Sequence, residues 1–470
     1  MIHFGTGGWR AVIGDEFTKT TIQRIATAVS YRMKVEKVDS QGFAIGYDRR
    51  FLSREAAIWF SEALAGQGIK VYFVNLSAPT PQIMYTVKSM NLPYGAMVTA
   101  SHNPAIYNGI KLFTRGGRDA VQKVTDEVSA TAEQINLSDP QTIDFEEARE
   151  QGLIEFIDPR DEYLDSIINQ IDMKAIRERR PRVILDPMYG VGLTGLSTIL
   201  YTARCDIDTI HAGHDAFFGR RLPAPTEDTL YHLKREVIEH NAVVGIATDG
   251  DADRLGIIDE KGNYVSSNLV LVLLYYYLLR YKGWKGAAVR NLSTTHLLDR
   301  VAAAFDETCY EVPVGFKYIS EAMDKYDALI GGESSGGLTV RGHISGKDGL
   351  YAASLLVEMI CVTNKPLTEL VSEVYQLFGE SHTVEKDWSL TPQLREEIDR
   401  TVMVEKKLHD YGIEPVKISY IDGCKVYFEK GWITIRFSGT EPRIRIFSEY
   451  TDQATAERLV KTTAAWLGIA

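Results

Sequence analysis

The stretch VVGIATDGDADRLGII (243–258) decides the fold class, because two apolar runs enclose a short acidic loop. The first run, VVGIAT, is short, apolar and bounded by polar residues, which predicts a buried strand. Asp249, Asp251 and Asp253 follow it directly. In open α/β sheets, ligands bind beyond the carboxyl ends of the strands, so this loop is expected at a ligand site.

The spacing of the three aspartates favours a metal site. In an extended segment, residues two apart face the same side. Three crowded carboxylates repel one another unless a cation neutralises them, and hard oxygen ligands suit Mg²⁺. A calcium EF-hand does not fit, because Arg254 stands where that loop needs glycine. A solvated acidic turn is the remaining alternative, which the flanking apolar runs disfavour.

Outward from this stretch, strand-like and helix-like segments alternate. FAIGYD (43–48), KVYFVN (70–75) and YGAMVTA (94–100) are apolar runs separated by amphipathic segments, a pattern typical of parallel α/β sheets. The pattern restarts at RVILDP (182–187) and at GAAVRN (286–291). We therefore predict three consecutive α/β units.

The character of the chain changes after about residue 378. KISYIDGCKVYFEKGWITIRFSG (417–439) alternates as an antiparallel sheet does, and TDQATAERLVKTTAAWLG (451–468) predicts a closing helix. EKDWSLTPQL (385–394) is interpreted as a linker, and DPQTIDFEEAREQG (139–152) as the connection from the first unit to the second. The predicted domains are residues 1–155, 156–256, 257–378 and 379–470.

Composition narrows the classes of protein. The chain has 470 residues, 45% of them hydrophobic and 24% charged, and a net charge of −11. That charge disfavours a nucleic-acid or anionic-membrane partner. The four cysteines form no CxxC pair, which disfavours zinc and disulfide scaffolds and favours a cytoplasmic location. LVLVLLYYYLL (269–279) is shorter than the ~20 residues that a membrane span needs, so we expect a buried helix.

A serine loop, SHNP (101–104), follows another predicted strand. Ser101 stands beside His102, and a free serine is a poor nucleophile unless it is activated or already loaded. The alternative is a helix-capping serine in an Asn-Pro turn. Lys111, in YNGIKL (107–112), lies on a strand-like stretch from which it could reach this loop. Taken alone, it would be interpreted as a surface lysine.

Two further polar loops follow strands, ESSGG (333–337) and the turn within RFSGTEPRIR (436–445). The second offers backbone N–H groups, hydroxyls and arginine forks that suit a phosphate dianion; its residues are Arg436, Ser438, Gly439, Thr440 and Arg443. Glu333 would repel phosphate, so Glu333 and Ser335 are better suited to sugar hydroxyls. A surface hairpin and a flexible loop are the plain alternatives.

Together, TASHNP, DGDADR, GGESSGG and RFSGTEPR resemble the motifs of the α-D-phosphohexomutase family, in family order and over essentially the whole chain. The resemblance implies three α/β/α domains with mainly parallel mixed sheets and a smaller C-terminal α+β domain around a central cleft. It also implies a magnesium-dependent phosphosugar mutase, either monomeric or a homodimer. Its partner would be a small-molecule phosphosugar, and a hexose 1,6-bisphosphate would be its activator.

The resemblance assigns expected roles residue by residue. Ser101 would hold the phosphoryl group, and the three aspartates with Ser101 would bind Mg²⁺. Arg10 and Arg254 would lie near that group, and His102 and Lys111 would transfer protons, with the general base open between them. Glu333 and Ser335 would bind sugar hydroxyls, and the 436–440 loop would bind the phosphate that does not react.

The choice of sugar depends on three segments. GFK (315–317), with Lys317, and GHISGKDG (342–349), with His343 and Lys347, resemble phosphoglucomutase segments. These three residues are therefore expected to bind the substrate, and glucose phosphates are expected. Gly337 stands where phosphomannomutase-like members often carry histidine. Phosphomannomutase and phosphoglucosamine mutase stay open within the family. A metal-dependent sugar phosphatase and a non-catalytic phosphosugar sensor are more distant alternatives.

Overall fold

The computed structural model describes residues 2–5, 7–136, 140–438 and 442–469. It divides into two compact units. The first unit is Met1–Val270 with Ser335–Thr368, and the second is Leu271–Ser334 with Glu369–Ala470.

The first sheet belongs to the first unit and has seven strands. The strands are β1 (Trp9–Val12), β2 (Phe43–Tyr47), β3 (Val71–Val74), β4 (Tyr94–Val98), β5 (Tyr107–Thr114), β6 (Arg118–Asp119) and β7 (Ile154–Ile157). The helices are α1 (Lys19–Val35), α2 (Ser53–Gly66), α3 (Thr80–Ser89), α4 (Gln122–Gln134) and α5 (Phe145–Glu150).

The strand order is β1-β5-β4-β2-β3-β7, with β6 on β5. β2 pairs in parallel with β3 and β4, and β3 with β7, whereas β5 runs antiparallel to β4. β2 and β4 are buried along their whole length because helices cover both faces of the sheet, which explains their continuous apolar sequence. Their carboxyl ends therefore open onto one edge.

The described part of residues 139–152, interpreted as a connection, contains a helix that the sequence did not predict. α5 lies within it, Asp144 caps that helix, and Phe145 and Ala148 are buried in the first hydrophobic core. β7 then joins the first sheet, so the predicted boundary at residue 155 falls inside this strand. Most other residues of α5 are polar and exposed, so the two buried residues do not form a recognisable helical pattern in the sequence.

The second sheet also belongs to the first unit, in the order β12-β11-β10-β8-β9. Its strands are β8 (Arg182–Asp186), β9 (Asp206–Thr209), β10 (Val244–Thr248), β11 (Leu255–Asp259) and β12 (Tyr264–Val265), and its helices are α6 (Arg160–Ile168), α7 (Met173–Arg179), α8 (Gly192–Thr202) and α9 (Tyr231–Glu239). β8 is parallel to β9 and β10, and β11 returns antiparallel. The acidic loop is the turn between β10 and β11.

The third group of elements begins with a buried helix, as the apolar run 269–279 predicts. Its members are α10 (Ser267–Arg280), β13 (Ala288–Asn291), α11 (Leu297–Ala304), β14 (Cys309–Val312), α12 (Phe316–Tyr326), β15 (Ile330–Gly332), β16 (Leu338–Val340), α13 (Gly349–Thr363) and α14 (Leu367–Phe378). In the second unit, β13 pairs in parallel with β14 and with β15.

The last sheet is antiparallel, in the order β17-β21-β20-β19-β18. Its elements are β17 (His382–Ser389), α15 (Pro392–Asp399), β18 (Lys417–Ser419), β19 (Cys424–Phe428), β20 (Gly431–Phe437), β21 (Arg443–Tyr450) and α16 (Gln453–Trp466). The three α/β domains with mixed sheets and the α+β C-terminal domain are therefore confirmed, as is the closing helix.

The linker predicted at 385–394 is wrong. Most of it forms the end of β17 and the start of α15. β17 is an edge strand that pairs only with β21 among the described residues, and most of its side chains stay exposed. An edge strand of this kind needs few apolar residues, so its sequence resembles a polar linker.

Candidate active site

The backbone of the turn after β4 fixes Ser101. Its φ of 53° lies in the left-handed region, which is uncommon for a residue with a side chain and is found at functional sites. The Ser101 amide donates to Oγ1 of Thr99 at 2.8 Å, and the Ser101 carbonyl accepts from Nη2 of Arg50 at 2.5 Å. The turn therefore holds this strained residue in one position.

The side chain of Ser101 is fully buried and faces the acidic loop. Its hydroxyl donates to Oδ2 of Asp249 at 2.8 Å. Nδ1 of His102 lies 3.3 Å from the same hydroxyl. The loops that follow β4 and β10 thus meet, as the rule for strand ends predicts.

A turn, and not an extended segment, brings the three aspartates together. Oxygen atoms of Asp249, Asp251 and Asp253 lie within 4.8 Å of one another, and all three residues are buried. Ala252 has a φ of 59°, so the backbone reverses inside the loop. The amides of Asp253 and Arg254 donate to Oδ1 of Asp249 at 3.1 Å each. The prediction of extended geometry was wrong, although the carboxylates converge.

Lys111, on β5, contacts two of these carboxylates. Its Nζ lies 2.7 Å from Oδ2 of Asp251 and 2.7 Å from Oδ2 of Asp253. Thr80, the first residue of α3, donates its hydroxyl to Oδ2 of Asp251 at 2.5 Å. The lysine is thus a buried partner of the acidic loop and not a surface lysine.

The remaining carboxylate oxygens fit a divalent cation. Oδ1 of Asp251 and Oδ1 of Asp253 are buried, and among the described residues they have no hydrogen-bond partner. Unpartnered buried oxygens of charged groups are costly. Together with Asp249 they offer a cluster of hard oxygen donors, which is the donor set that Mg²⁺ prefers.

Burial and neighbouring charges shift the pKa values of the aspartates in different directions. Burial, and then the charges of Asp251 and Asp253, raise the pKa of Asp249 to about 8. Burial alone would raise the pKa of Asp253, but Lys111 and Lys347 outweigh it and hold that pKa below its usual range. Lys347 Nζ lies 3.1 Å from Oδ2 of Asp253. In the absence of a cation, Asp249 would therefore bind a proton more readily than Asp253.

Other cationic groups surround Ser101. Arg10, on β1, donates to Oδ1 of Asn103 in the serine turn at 2.6 Å, and Arg254 Nε lies 3.7 Å from Oδ1 of Asp253. Burial, and then the charge of Arg254, lower the pKa of Arg10 to about 10. Burial, followed by Arg254 and Arg10, lowers the pKa of His102 well below its ordinary value, so its imidazole is neutral near pH 7. The surroundings favour an added anion.

His343 occupies a different environment. Its Nε2 lies 2.6 Å from Oδ2 of Asp348, whose Oδ1 caps α13, and its ring stacks on Tyr351. The His343 side chain is only 1% exposed. This placement favours a role in holding the loop that carries Lys347 over direct contact with a substrate.

Two of the other predicted substrate residues, Glu333 and Lys317, belong to the second unit. Glu333 is buried, and Oε1 accepts a 3.2 Å hydrogen bond from Nδ2 of Asn291. Lys317 is buried at the start of α12, with Nζ 5.1 Å from the ring centre of Tyr318. Ser335 is exposed and belongs to the first unit.

Arg436 and Ser438 lie at the end of β20. Nε of Arg436 donates to Oδ2 of Asp422 at 2.8 Å, and the Ser438 amide donates to the carbonyl of Arg443 at 2.8 Å. Arg443 also pairs with Asp387. Gly439 and Thr440, the centre of the predicted phosphate loop, lie outside the described residues.

Sequence reasoning missed Thr80 and Arg50. Arg50 is buried, and its guanidinium donates to the carbonyls of Ser101, Asn103, Pro104 and Tyr107. Arg50 follows strand β2, and polar residues beyond the carboxyl ends of strands are expected at a ligand site, so its position in the sequence could have indicated it. The sequence around Thr80 carries no comparable signal.

Models of one protein family match most of the chain. Models of phosphoglucomutase/phosphomannomutase alpha/beta/alpha domains I, II and III match residues 1–139, 161–262 and 266–378, and the model of the C-terminal domain matches residues 394–465. A phosphoglucomutase/phosphomannomutase from Thermococcus kodakarensis is 31% identical over 97% of this chain and 96% of its own. The chain belongs to the α-D-phosphohexomutase family.

Two more similarities describe this phosphohexomutase. A phosphoglucosamine/phosphogalactosamine mutase from Sulfurisphaera tokodaii is 29% identical, with 97% of each chain covered. A solved structure from Thermus thermophilus, provisionally assigned as a phosphomannomutase, is 30% identical, with a TM-score of 0.85 and 99% of each chain covered.

Phosphohexomutases are metal-dependent intramolecular phosphotransferases, so this chain is an isomerase of that class. Among the residues that the structure describes, every helix is too short or too polar to cross a lipid bilayer.

Proposed function

We propose that this phosphohexomutase interconverts hexose 1-phosphate and hexose 6-phosphate, with glucose phosphates preferred, through a phosphoryl group carried on Ser101. The observation that carries the proposal is the bond from the Ser101 hydroxyl to Asp249, within a buried cluster of three aspartates. A phosphoryl group on that oxygen would lie beside the loop whose oxygens fit a cation.

Asp249, Asp251, Asp253 and the phosphorylated Ser101 would hold Mg²⁺. When bound, the ion supplies positive charge that offsets the negative charge of the transferring phosphoryl group. Arg10 and Arg254 add fixed positive charge on the same side. Catalysis would then be mainly electrostatic and positional.

Transfer breaks the bond between phosphorus and Oγ of Ser101 and forms a bond between phosphorus and the free sugar hydroxyl oxygen. His102 is better placed than Lys111 to take the hydroxyl proton and pass it to the leaving Oγ of Ser101, because its Nδ1 lies 3.3 Å from that Oγ while Lys111 is bonded to two aspartates. The hexose 1,6-bisphosphate then turns over and returns its other phosphoryl group to Ser101. Added hexose 1,6-bisphosphate would activate by loading the serine.

Residues outside the serine turn and the acidic loop would bind the rest of the substrate. Glu333, with Ser335, would bind sugar hydroxyls, and the 436–440 loop would bind the phosphate that does not react. The preference for glucose rests on GFK (315–317) and GHISGKDG (342–349), which resemble phosphoglucomutase segments. The relative from Sulfurisphaera supports a second candidate, an amino-sugar phosphate.

A cytoplasmic location is part of the proposal, because Cys205, Cys309, Cys361 and Cys424 are all unpaired thiols in the described chain.

The experiment is a coupled assay with α-glucose 1-phosphate, mannose 1-phosphate and glucosamine 1-phosphate, each with Mg²⁺ and a trace of the matching bisphosphate. We expect 6-phosphate formation that a chelator abolishes, fastest with glucose. If glucosamine 1-phosphate turns over faster than glucose 1-phosphate, the preferred substrate is the amino-sugar phosphate and not the glucose phosphate. Release of inorganic phosphate without an isomer would support a phosphatase instead.

A further inference from the structure

The first unit contains a cavity of about 210 Å³ that the proposed reaction does not use. It lies between the amino-terminal turns of α3 and α8 and the segment after β3. Its polar lining includes Arg49, Ser77, Gln82, Asp158, Arg160 and Thr194. None of these residues belongs to the serine turn or the acidic loop.

Gln82 is the first sign that the cavity takes a ligand. The residue is only 4% exposed and lines the cavity. Within the described ranges, the amide of its side chain has no hydrogen-bond partner. The side chain lines the cavity, so its amide is open to a molecule that enters the cavity and not to the surrounding protein. A ligand in the cavity would supply the missing partner.

Arg49 is the second sign. It is half-buried, and its guanidinium has one hydrogen bond, from Nη1 to the carbonyl of Ala212 at 3.4 Å. No carboxylate of the described chain pairs with it. Asp158, the carboxylate in the lining, pairs with Arg160 at 3.4 Å. The lining therefore carries one positive charge in excess, which favours an anion.

The amino terminus of α8 adds a third contribution. This helix has 11 residues, and Val191 before it offers no side-chain cap. The first amides of a helix have no partner inside the helix, and the helix dipole favours negative charge there. The hydroxyls of Thr194 and Ser77 also lack partners among the described residues. Donors of several kinds thus surround the same space.

We propose that this cavity binds a phosphate-class oxyanion, either inorganic phosphate or the phosphate of a small phosphomonoester. Cavities for drug-sized ligands begin near ~300 Å³, so this smaller cavity limits the ligand to a few atoms beyond the phosphate. Arg49, Gln82 and the α8 terminus would contact the oxyanion.

The cavity is also connected to the acidic loop. The Thr80 amide at the start of α3 donates to the carbonyl of Asp251 at 2.9 Å, and the Val191 amide before α8 donates to the carbonyl of Gly250 at 3.2 Å. An oxyanion bound to the α8 terminus and to the Gln82 side chain of α3 would therefore stabilise the turn that carries the aspartates.

The test is isothermal titration of inorganic phosphate into the full-length enzyme in chelator, at constant ionic strength. Because the proposed substrate site also binds phosphate, the comparison is among variants. We expect Arg49→Met and Gln82→Leu each to remove one class of phosphate site or to weaken it roughly tenfold or more. Arg115→Met, which removes an exposed charge elsewhere in the first unit, should bind as the wild type does.

A second measurement separates binding from folding. Without phosphate, Gln82→Leu should unfold near the wild-type temperature, because the Gln82 side-chain amide makes no hydrogen bond to the described residues. Glycerol 3-phosphate tests the source of the oxyanion: tighter binding than phosphate identifies a phosphomonoester, and weaker or equal binding identifies free phosphate. Titrations of Arg49→Met and Gln82→Leu that match the wild type would overturn the proposal.

Discussion

The hydroxyl of Ser101 donates a hydrogen bond of 2.8 Å to Oδ2 of Asp249, a residue 148 positions further along the chain. Ser101 follows the carboxyl end of β4 in the first sheet, and Asp249 follows the carboxyl end of β10 in the second sheet. The contact joins the proposed phosphoryl carrier to the proposed metal ligands.

Replacement of Lys111 by Met should destabilise the metal-free protein by about 3–5 kcal/mol, because it leaves buried carboxylates unpaired. Mg²⁺ should restore part of that loss, since a cation then offsets the same charges. Urea unfolding with and without Mg²⁺ measures both effects. Lys34→Met, at an exposed lysine bonded to Gln67, is the control and should change little. A variant as stable as the wild type in chelator would contradict the assigned pairing.

Gly250→Ala should lower kcat with a smaller effect on folding. A Cβ at this position would lie 2.7 Å from the carbonyl oxygen of Ser101, so the two loops must move apart. A displacement of this kind misplaces the reacting groups and costs up to about 100-fold in rate. Gly213→Ala, which has open space around it, is the matched control. Equal kcat values for the two variants would show that the close approach does not matter for turnover.

Arg436→Lys should raise KM for hexose phosphates about tenfold or more while leaving the fold intact. Lysine keeps the charge but loses the planar fork that binds a phosphate through two bonds. Arg400→Lys, at an exposed arginine near Glu405, controls for the substitution. If KM stays at the wild-type value, the 436–440 loop does not bind the phosphate of the substrate.

His296, in the second unit, should make that unit sensitive to acid. Its Nε2 lies 3.0 Å from Nζ of Lys425, and burial, followed by the charge of Arg290, lowers its pKa to about 4. Because the unfolded value is near 6.5, the unfolded chain binds a proton that the folded chain does not. The contribution is complete above about pH 6.5, and about 3 kcal/mol is lost as the pH falls to about 4.

The measurement compares urea unfolding of the wild type and His296→Gln between pH 7 and pH 4. The free energy of unfolding of the wild type should fall by about 3 kcal/mol more than that of His296→Gln over this range, because glutamine does not titrate. Glu311 and Glu449 also face this group, and they are present in both proteins. Parallel stability curves would show that His296 does not bind its proton more weakly in the folded state.

The sequence predicted the strands and loop positions well because buried parallel strands carry continuous apolar runs. FAIGYD (43–48) and YGAMVTA (94–100) contain β2 and β4, and the polar residues after them lie at one sheet edge. Edge strand β17 was missed because most of its side chains are exposed. Helix α5 was missed because two buried residues suffice to anchor it.

The site itself was only partly predictable. The acidic loop could be identified by its composition, whereas its turn depends on Ala252, whose left-handed backbone no sequence pattern indicates. Thr80 bonds to Asp251, 171 positions away, and a contact of that range leaves no local signal. Lys111 could be placed on a strand, but its two aspartate partners emerge only from the fold.

The most direct test of the central claim is intact-mass and peptide analysis of the enzyme after incubation with glucose 1,6-bisphosphate and Mg²⁺. The account predicts one added phosphoryl group, located on Ser101, that is lost on mixing with excess glucose 1-phosphate. Ser101→Ala should carry none and turn over about 10³-fold more slowly or worse, whereas Ser40→Ala at an exposed position should behave as the wild type. A Ser101→Ala enzyme with near-normal turnover, or a phosphoryl group on another residue, would contradict the account.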